Sequence, residues 1–344
     1  MLLSIGDQIK PGTYRLHSAF KRAVNFAHRG RLISVVDESI GPGPLNIVLC
    51  DLDRARGRHP VEPACSILKG LPHSAQGWIV GARGGDPTLG KGKLRVTANS
   101  ERVEARISCD TAPLQISAHT VLFAGHRYHF SPRHRYHSTI ELKAANLGQL
   151  QHNLSILGEA LRQDAPPKSL AFLLDGTRRE NFRAGFERAY ADQIQRGMHK
   201  VFHGDLLEGI RDLKGCGPGL TPGGDDFIAG LLIGLHVLQK LRGQNFQPAA
   251  DAIFHAARGG NIYSNTFLDL ARRGLFSGCL KELLRALLSG NRRSVRQAAE
   301  ALFAVGASSG ADLVTGFFLT LRWLDVAGVP GERACCKLAI EDFQ

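Results

Sequence analysis

The sequence predicts an α+β protein with its two kinds of element segregated: a β-rich domain over residues 1–140, then a mainly helical domain over 141–344. Three observations predict it. From about residue 30 to 125 the apolar residues fall in short β-branched or alternating runs separated by Gly, Pro and Asn. After Asn146 the apolar period becomes helical. A chain of 344 residues also exceeds one ordinary domain.

Taken in order, Arg31 to Val36, Leu45 to Asp51, Gly77 to Val80, Lys93 to Ala98, Arg102 to Cys109 and Thr120 to Phe123 read as strands. Between them lie the turn signals Gly41-Pro42-Gly43-Pro44, Gly84-Gly85-Asp86-Pro87 and Asn99-Ser100. The segment Lys93 to Ser108 is a hairpin candidate, although it lacks the favoured Asn-Gly pair. Strands so short and so spaced suggest a small barrel. Gly125 to Ser138 reads GHRYHFSPRHRYHS and is read as a solvated basic connector between the domains, with contact to an anionic partner as its second reading. Beyond it, Leu147, Leu150, Leu154, Leu157 and Leu161 recur at spacings of three and four and make one apolar stripe. Further helices are expected at 178–198, 204–213, 225–241, 248–258, 263–273, 278–289, 292–305 and 311–326, with Gly259-Gly260, Gly290 and Gly310 as breaks.

Composition narrows the function. With 43% hydrophobic and 22% charged residues the chain is ordinarily globular. Its longest apolar runs, near 227–238 and 313–325, are too short and too interrupted to span a bilayer, and its first residues do not read as a signal peptide. The 7 cysteines, scattered and odd in number, argue for a reducing compartment, so a cytoplasmic location is expected. The net charge of +12 fits a nucleic acid or a small anionic ligand. No basic arm, zinc-finger spacing or RRM signature accompanies it, so the small anion is preferred to nucleic acid.

The chemistry concentrates in Gly215 to Gly230, GCGPGLTPGGDDFIAG, which runs straight into an apolar helix. Its glycines permit φ > 0 and close approach to the main chain, and Pro218 and Pro222 stiffen the loop between them. A rigid glycine loop before a helix N-terminus is a ready construction for holding an anion. It is not a P-loop, because no Lys-Ser or Lys-Thr follows, and no β-branched strand leads into it as a dinucleotide fingerprint would need. A second stretch, Gly306 to Gly316, reads GASSGADLVTG and also enters an apolar helix. With Gly224 laid on Gly310, Asp226 falls on Asp312 and Gly230 on Gly316. Both helices thus begin Gly-x-Asp-x-x-x-Gly. If the two are related, their N-termini face one shared site.

The run Gly-x-Gly-Pro-Gly-Leu-Thr-Pro-Gly-Gly-Asp-Asp, followed by Ser-Ser-Gly-x-Asp near the C-terminus, resembles the AllH-like proteins. The stretch His17 to Val48 and, more weakly, Thr266 to Leu268 resemble the same family. The resemblance implies a component of oxamate carbamoyltransferase, which moves a carbamoyl group between oxamate and phosphate by way of oxalurate and carbamoyl phosphate. It implies a small anionic substrate and other protein subunits as partners. On that reading the phosphate-binding residues are Gly217, Gly219, Leu220, Thr221, Gly223, Gly224, Asp225, Ser308, Ser309 and Gly310. Arg22 joins them as a residue of the family-like N-terminal stretch.

Asp226 and Asp312 are expected to cap their helices, since they recur at one phase. Asp225, whose counterpart is Ala311, is expected to be freer to meet ligand or Mg²⁺, the one cofactor the pattern suggests. Cys216 sits before a helix N-terminus, where the dipole would lower a thiol pKa. No general base stands out. The competing reading is a non-catalytic ligand-binding or scaffolding subunit whose glycine loop meets a partner chain.

Overall fold

A computed structural model of the chain describes residues 1–56, 112–142 and 147–326. The α+β expectation holds: strands end at Tyr136, and among the described residues everything from 147 onward is helical or loop. The expected strands Gly77–Val80, Lys93–Ala98 and Arg102–Cys109, and the hairpin built from them, lie outside the described residues.

Nine strands form one curled sheet in the order β8-β7-β6-β2-β3-β4-β5-β1-β9. They are β1 (Leu2–Gly6), β2 (Gly12–Ala19), β3 (Ala23–His28), β4 (Arg31–Asp37), β5 (Asn46–Leu49), β6 (Leu114–Ile116), β7 (Thr120–Phe123), β8 (His126–His129) and β9 (Arg135–Tyr136). A short helix, α1 (Leu52–Ala55), follows β5. Two hairpins turn on two-residue loops in which both residues have positive φ, Arg29-Gly30 and Ala124-Gly125, the geometry that matches the twist of the flanking strands. The sheet is open among the described residues, where a barrel was suggested. The His/Arg segment 125–138 is more than a connector: it supplies β8 at one edge of the sheet and β9, which pairs with β1 in parallel at the other, while His126, Arg127, His129, Arg133 and His137 stay exposed as expected.

The helical half comprises α2 (Leu147–Asp164), α3 (Gly185–His203), α4 (Leu206–Leu213), α5 (Gly223–Arg242), α6 (Gln247–Ala257), α7 (Ile262–Arg272), α8 (Gly278–Ser289), α9 (Arg292–Phe303) and α10 (Ser309–Val326). The span 178–198 is not one helix: a 3-10 turn over Gly176–Asn181 precedes α3. The core of this half is built on α5, which is buried nearly end to end, and on α10, which lies along it. The sheet has a separate core around Ile5, Val35, Ile47 and Leu114.

Polar bonds at Ser138 and Tyr136 join the halves. Asp7, in the same half, holds Ser138 by accepting from its amide (2.9 Å) and hydroxyl (2.9 Å). The Ser138 carbonyl takes the Phe276 amide (2.9 Å), and Tyr136 Oη donates to the Phe276 carbonyl (3.0 Å). Among the described residues no helix is long and apolar enough to cross a membrane.

Candidate functional site: two glycine loops over a buried carboxylate pair

The glycine loop is held at both ends by the helices it joins. Cys216 N–H donates to Leu213 at the end of α4 (3.0 Å), and Gly224 N–H returns to the Cys216 carbonyl (2.8 Å). Gly217 and Gly219 sit at φ of 121° and 114°, a region closed to ordinary side chains. A Cβ on Gly217 would also lie 3.0 Å from the Tyr190 ring. Pro218, Gly219 and Leu220 form the exposed tip.

The second loop repeats this construction. Val305 N–H donates to Leu302 near the end of α9 (2.9 Å), and Gly310 N–H returns to the Val305 carbonyl (3.1 Å). A Cβ on Gly224 would stand 2.0 Å from the Leu213 carbonyl oxygen, and one on Gly310 would stand 1.8 Å from that of Leu302. Further along, a Cβ on Gly230 would meet the Leu313 carbonyl at 1.9 Å, and one on Gly316 would meet the Phe227 carbonyl at 2.1 Å. Leu313 stands to Phe227 as Gly316 stands to Gly230, so the contact is reciprocal. The two helix-loop-helix units are therefore related by an approximate two-fold axis at the α5–α10 crossing, and both helices begin at it.

The loops touch there. Thr221 Oγ1 lies 3.2 Å from Ser309 Oγ and donates to Asp226 Oδ2 (3.1 Å). Asp312 accepts from the Leu170 amide (2.6 Å) and from Ser308 Oγ (2.8 Å). Asp226 and Asp312 are 7% and 1% exposed, and Asp312 acts electrostatically on Asp226. Burial pushes the Asp312 carboxyl up to about 7 against the pull of its Leu170 and Ser308 bonds. Burial, then the neighbouring Asp312, hold Asp226 well above the usual carboxylate range. The pair behaves as one that keeps a proton at neutral pH, because two buried like charges cannot both ionise cheaply. Tyr190 is buried over the same point, and its hydroxyl pKa is raised by burial and by Asp312.

Two expected roles are corrected. Neither aspartate caps its own helix. The N-cap of α5 is Pro222, and Asp226 and Asp312 each stand at the fourth residue of their helix. Helix α5 starts earlier than expected because its two leading glycines are helical. Asp225 is not the freer carboxylate: it is 5% exposed, and its Oδ1 accepts the Gly215 amide (2.7 Å), closing its own loop. Burial raises its pKa, and the Gly215 bond opposes this. The Ser264 hydroxyl faces the same carboxylate but lies outside hydrogen-bond geometry. Among the described residues no group of three or more His, Cys, Asp and Glu is placed to hold a metal. The Cys216 thiol is likewise not activated; burial and Asp225 push it up to about 11.

Arg22 lies on the β2–β3 turn, where its carbonyl accepts the Asp37 amide (2.9 Å). Among the described residues no contact joins it to either glycine loop. The first turn of α7, which the sequence did not single out, is what meets the loop. Asn261 caps α7 through Oδ1, and its Nδ2 donates to the Leu220 carbonyl (2.8 Å). Its signal was present, an asparagine after Gly259-Gly260. Tyr190, by contrast, gave none.

The fold and site define an α+β protein whose helical half pairs two glycine loops across a buried acid pair. Residues 213–321, from the end of α4 into α10, match the family model described as oxamate carbamoyltransferase subunit AllH. Over that stretch the chain is AllH-like, as its motifs indicated. No solved structure matches the chain.

Proposed function

We propose that the chain is the AllH-like subunit of a carbamoyl-transferring enzyme of the oxamate type. On this reading it works with other subunits and holds a small anion, phosphate or the phosphate of carbamoyl phosphate, over the two paired loops. The observation that supports this most is the main chain of Gly217 to Thr221. Its Gly217 and Gly219 hold positive φ directly before the first turn of α5, with Ser309 facing Thr221 from the second loop. Exposed amides at a helix N-terminus favour an anion. The Ser309 hydroxyl, 3.2 Å from Thr221 Oγ1, adds a donor. The protonated acid pair beneath lowers the negative charge that an anion would otherwise meet. Carbamoyl transfer needs such fixed donors over the phosphate and over the developing oxyanion.

A direct test is thermal melting of the purified chain with phosphate and with carbamoyl phosphate. A rise saturating in the millimolar range or below is expected, and Gly219→Val should abolish it, since a β-branched side chain cannot take that φ. No rise with either anion overturns the reading. Sulfate, whose charge is constant across the range, gives the pH dependence. Its stabilising effect should weaken as pH rises through about 7, where Asp312 loses its proton. The competing reading, a scaffolding subunit, draws on Leu220 and Val305, exposed apolar side chains (43% and 45%) on the two loops. Formation of carbamoyl phosphate from oxalurate decides between them. Turnover by the chain alone supports catalysis here, and anion-independent assembly with other subunits supports scaffolding.

A further inference from the structure

The family-like stretch beginning at His17 contains a local irregularity. Strands β2 and β3 pair Leu16 with Phe26 and Ser18 with Asn25, so two residues of β2 face one of β3 and His17 is the extra residue of a β-bulge. In a regular strand, neighbouring side chains point to opposite faces. Here both reach one atom across the junction of the two halves. Tyr263 Oη of α7 contacts Ser18 Oγ and lies 3.0 Å from His17 Nδ1. Behind Ser18 the chain continues: Asn25 Nδ2 donates to Ser18 Oγ (3.1 Å), and Ser34 Oγ donates to Asn25 Oδ1 (2.6 Å).

Ser34 Oγ and Asn25 Nδ2 are the donors at the strand end of this series. Tyr263 Oη stands between Ser18 Oγ and His17 Nδ1, so as donor to Ser18 it accepts from His17 Nδ1–H. The series passes through buried groups, Asn25 of β3 and Tyr263 of α7 being 5% exposed, and it ends on an exposed imidazole. With Nδ1–H donating to Tyr263, Nε2 is the bare nitrogen left for a ligand. The turn of α7 that carries Tyr263 also carries Asn261, which holds the Leu220 carbonyl at the glycine-loop tip. The imidazole and the loop are thus hung on one helical turn.

We propose that His17, its tautomer held by Tyr263, carries the proton from the attacking phosphate to the leaving nitrogen in the carbamoyl transfer. The proposal rests on the functional reading above and supplies the acid–base group that the glycine loops lack. A phosphate oxygen attacks the carbamoyl carbon of oxalurate. His17 Nε2 takes the proton of the attacking hydrogen phosphate. The bond from the carbamoyl carbon to the oxamate nitrogen breaks, its electron pair stays on nitrogen, and that nitrogen receives the same proton from His17 Nε2, so the step balances without another reactant. Tyr263 is a positioning residue; Ser18, Asn25 and Ser34 fix its hydroxyl.

The test uses the full chain assembled with its partner subunits, oxalurate and phosphate. His17→Ala should lower kcat by about 10²-fold or more while KM for phosphate stays within about threefold. Added imidazole should restore part of the lost rate. His17→Asn keeps a donor for Tyr263 but cannot take up and pass on a proton, so it should melt like the wild type and be as slow as His17→Ala. Tyr263→Phe should cost about tenfold in kcat. In all three the phosphate-induced rise in melting temperature should persist. Turnover of His17→Asn within threefold of wild type overturns the proposal alone, as does failure of imidazole to rescue a folded His17→Ala. A wild-type assembly that neither binds phosphate nor turns over oxalurate overturns the functional reading and this proposal with it.

Discussion

Asp225 and Asp226 are neighbours in α5 with different duties, and the difference is a matter of what each oxygen reaches. Asp225 ties the start of its loop to the helix through the Gly215 amide. Asp225→Ala leaves that amide without its charged acceptor and should cost about 2 kcal/mol, read as a lower melting temperature without ligand. A melting temperature equal to wild type would remove the clasp from the account. Asp226 and Asp312 act through their proton. A carboxyl whose folded pKa lies above its unfolded one stabilises fully below the unfolded value, about 4. That contribution is lost as pH rises through the folded value, about 7 for Asp312. The wild type should therefore lose stability between about pH 5 and 8 more steeply than Asp312→Asn, which keeps the acceptor for Leu170 and cannot ionise. Parallel pH–melting curves would show that the pair does not share a proton.

At the scale of elements the decisive feature is the α5–α10 crossing. Glycine at 230 and 316 lets each helix take the other's backbone at contact distance, and both sites are blocked to a Cβ by a carbonyl oxygen rather than by a movable side chain. Gly230→Ala and Gly316→Ala should each destabilise by about 3 kcal/mol, because the helices must separate. The double variant should cost clearly less than the sum, since one separation relieves both clashes. Urea unfolding of the three variants checks this, and strict additivity would mean that the two glycines do not share one contact. The sequence held half of this result. The Gly-x-Asp-x-x-x-Gly pattern placed Asp and Gly on one face of each helix, but nothing local says that the two faces meet.

For the whole molecule, the sheet and the helices are joined in part through Ser138 and Tyr136, which bond the main chain of Phe276, and Asp7 holds Ser138 in place. Asp7→Ala should loosen this joint, so that calorimetry shows a broadened or two-step transition where the wild type shows one. An unchanged single transition would place the coupling elsewhere, for instance at Tyr263 and β2. Helix positions in this molecule were legible because an apolar period is local: residues 278–289 were expected to be helical, and α8 spans Gly278–Ser289. The strands were less so. Arg31 to Val36 and Thr120 to Phe123 carry β-branched runs and were found. Gly12–Ala19, half polar and bulged at His17, carries no such signal and was missed.

By itself the sequence determined the segregation of strands from helices, the family resemblance carried by the Gly215–Asp226 and Ser308–Asp312 motifs, and the two glycine loops with their matching phase. All of these are written in spacing along the chain. Only the tertiary structure decided what the matching residues do. Gly223 and Gly224 looked like loop because glycine is a poor helix former, yet they are helical. The reason is that Gly224 must pass within contact of the Leu213 carbonyl, which no propensity can record. The two aspartates looked like caps because a carboxylate near a helix start usually is one. Helix α5 begins at Gly223 and meets α10 at its first turns, so Asp226 faces Asp312 and not its own first amides. Which carboxylates are buried side by side, and which histidine ends a hydrogen-bond chain, depend on groups far apart in sequence, and only packing brings those together.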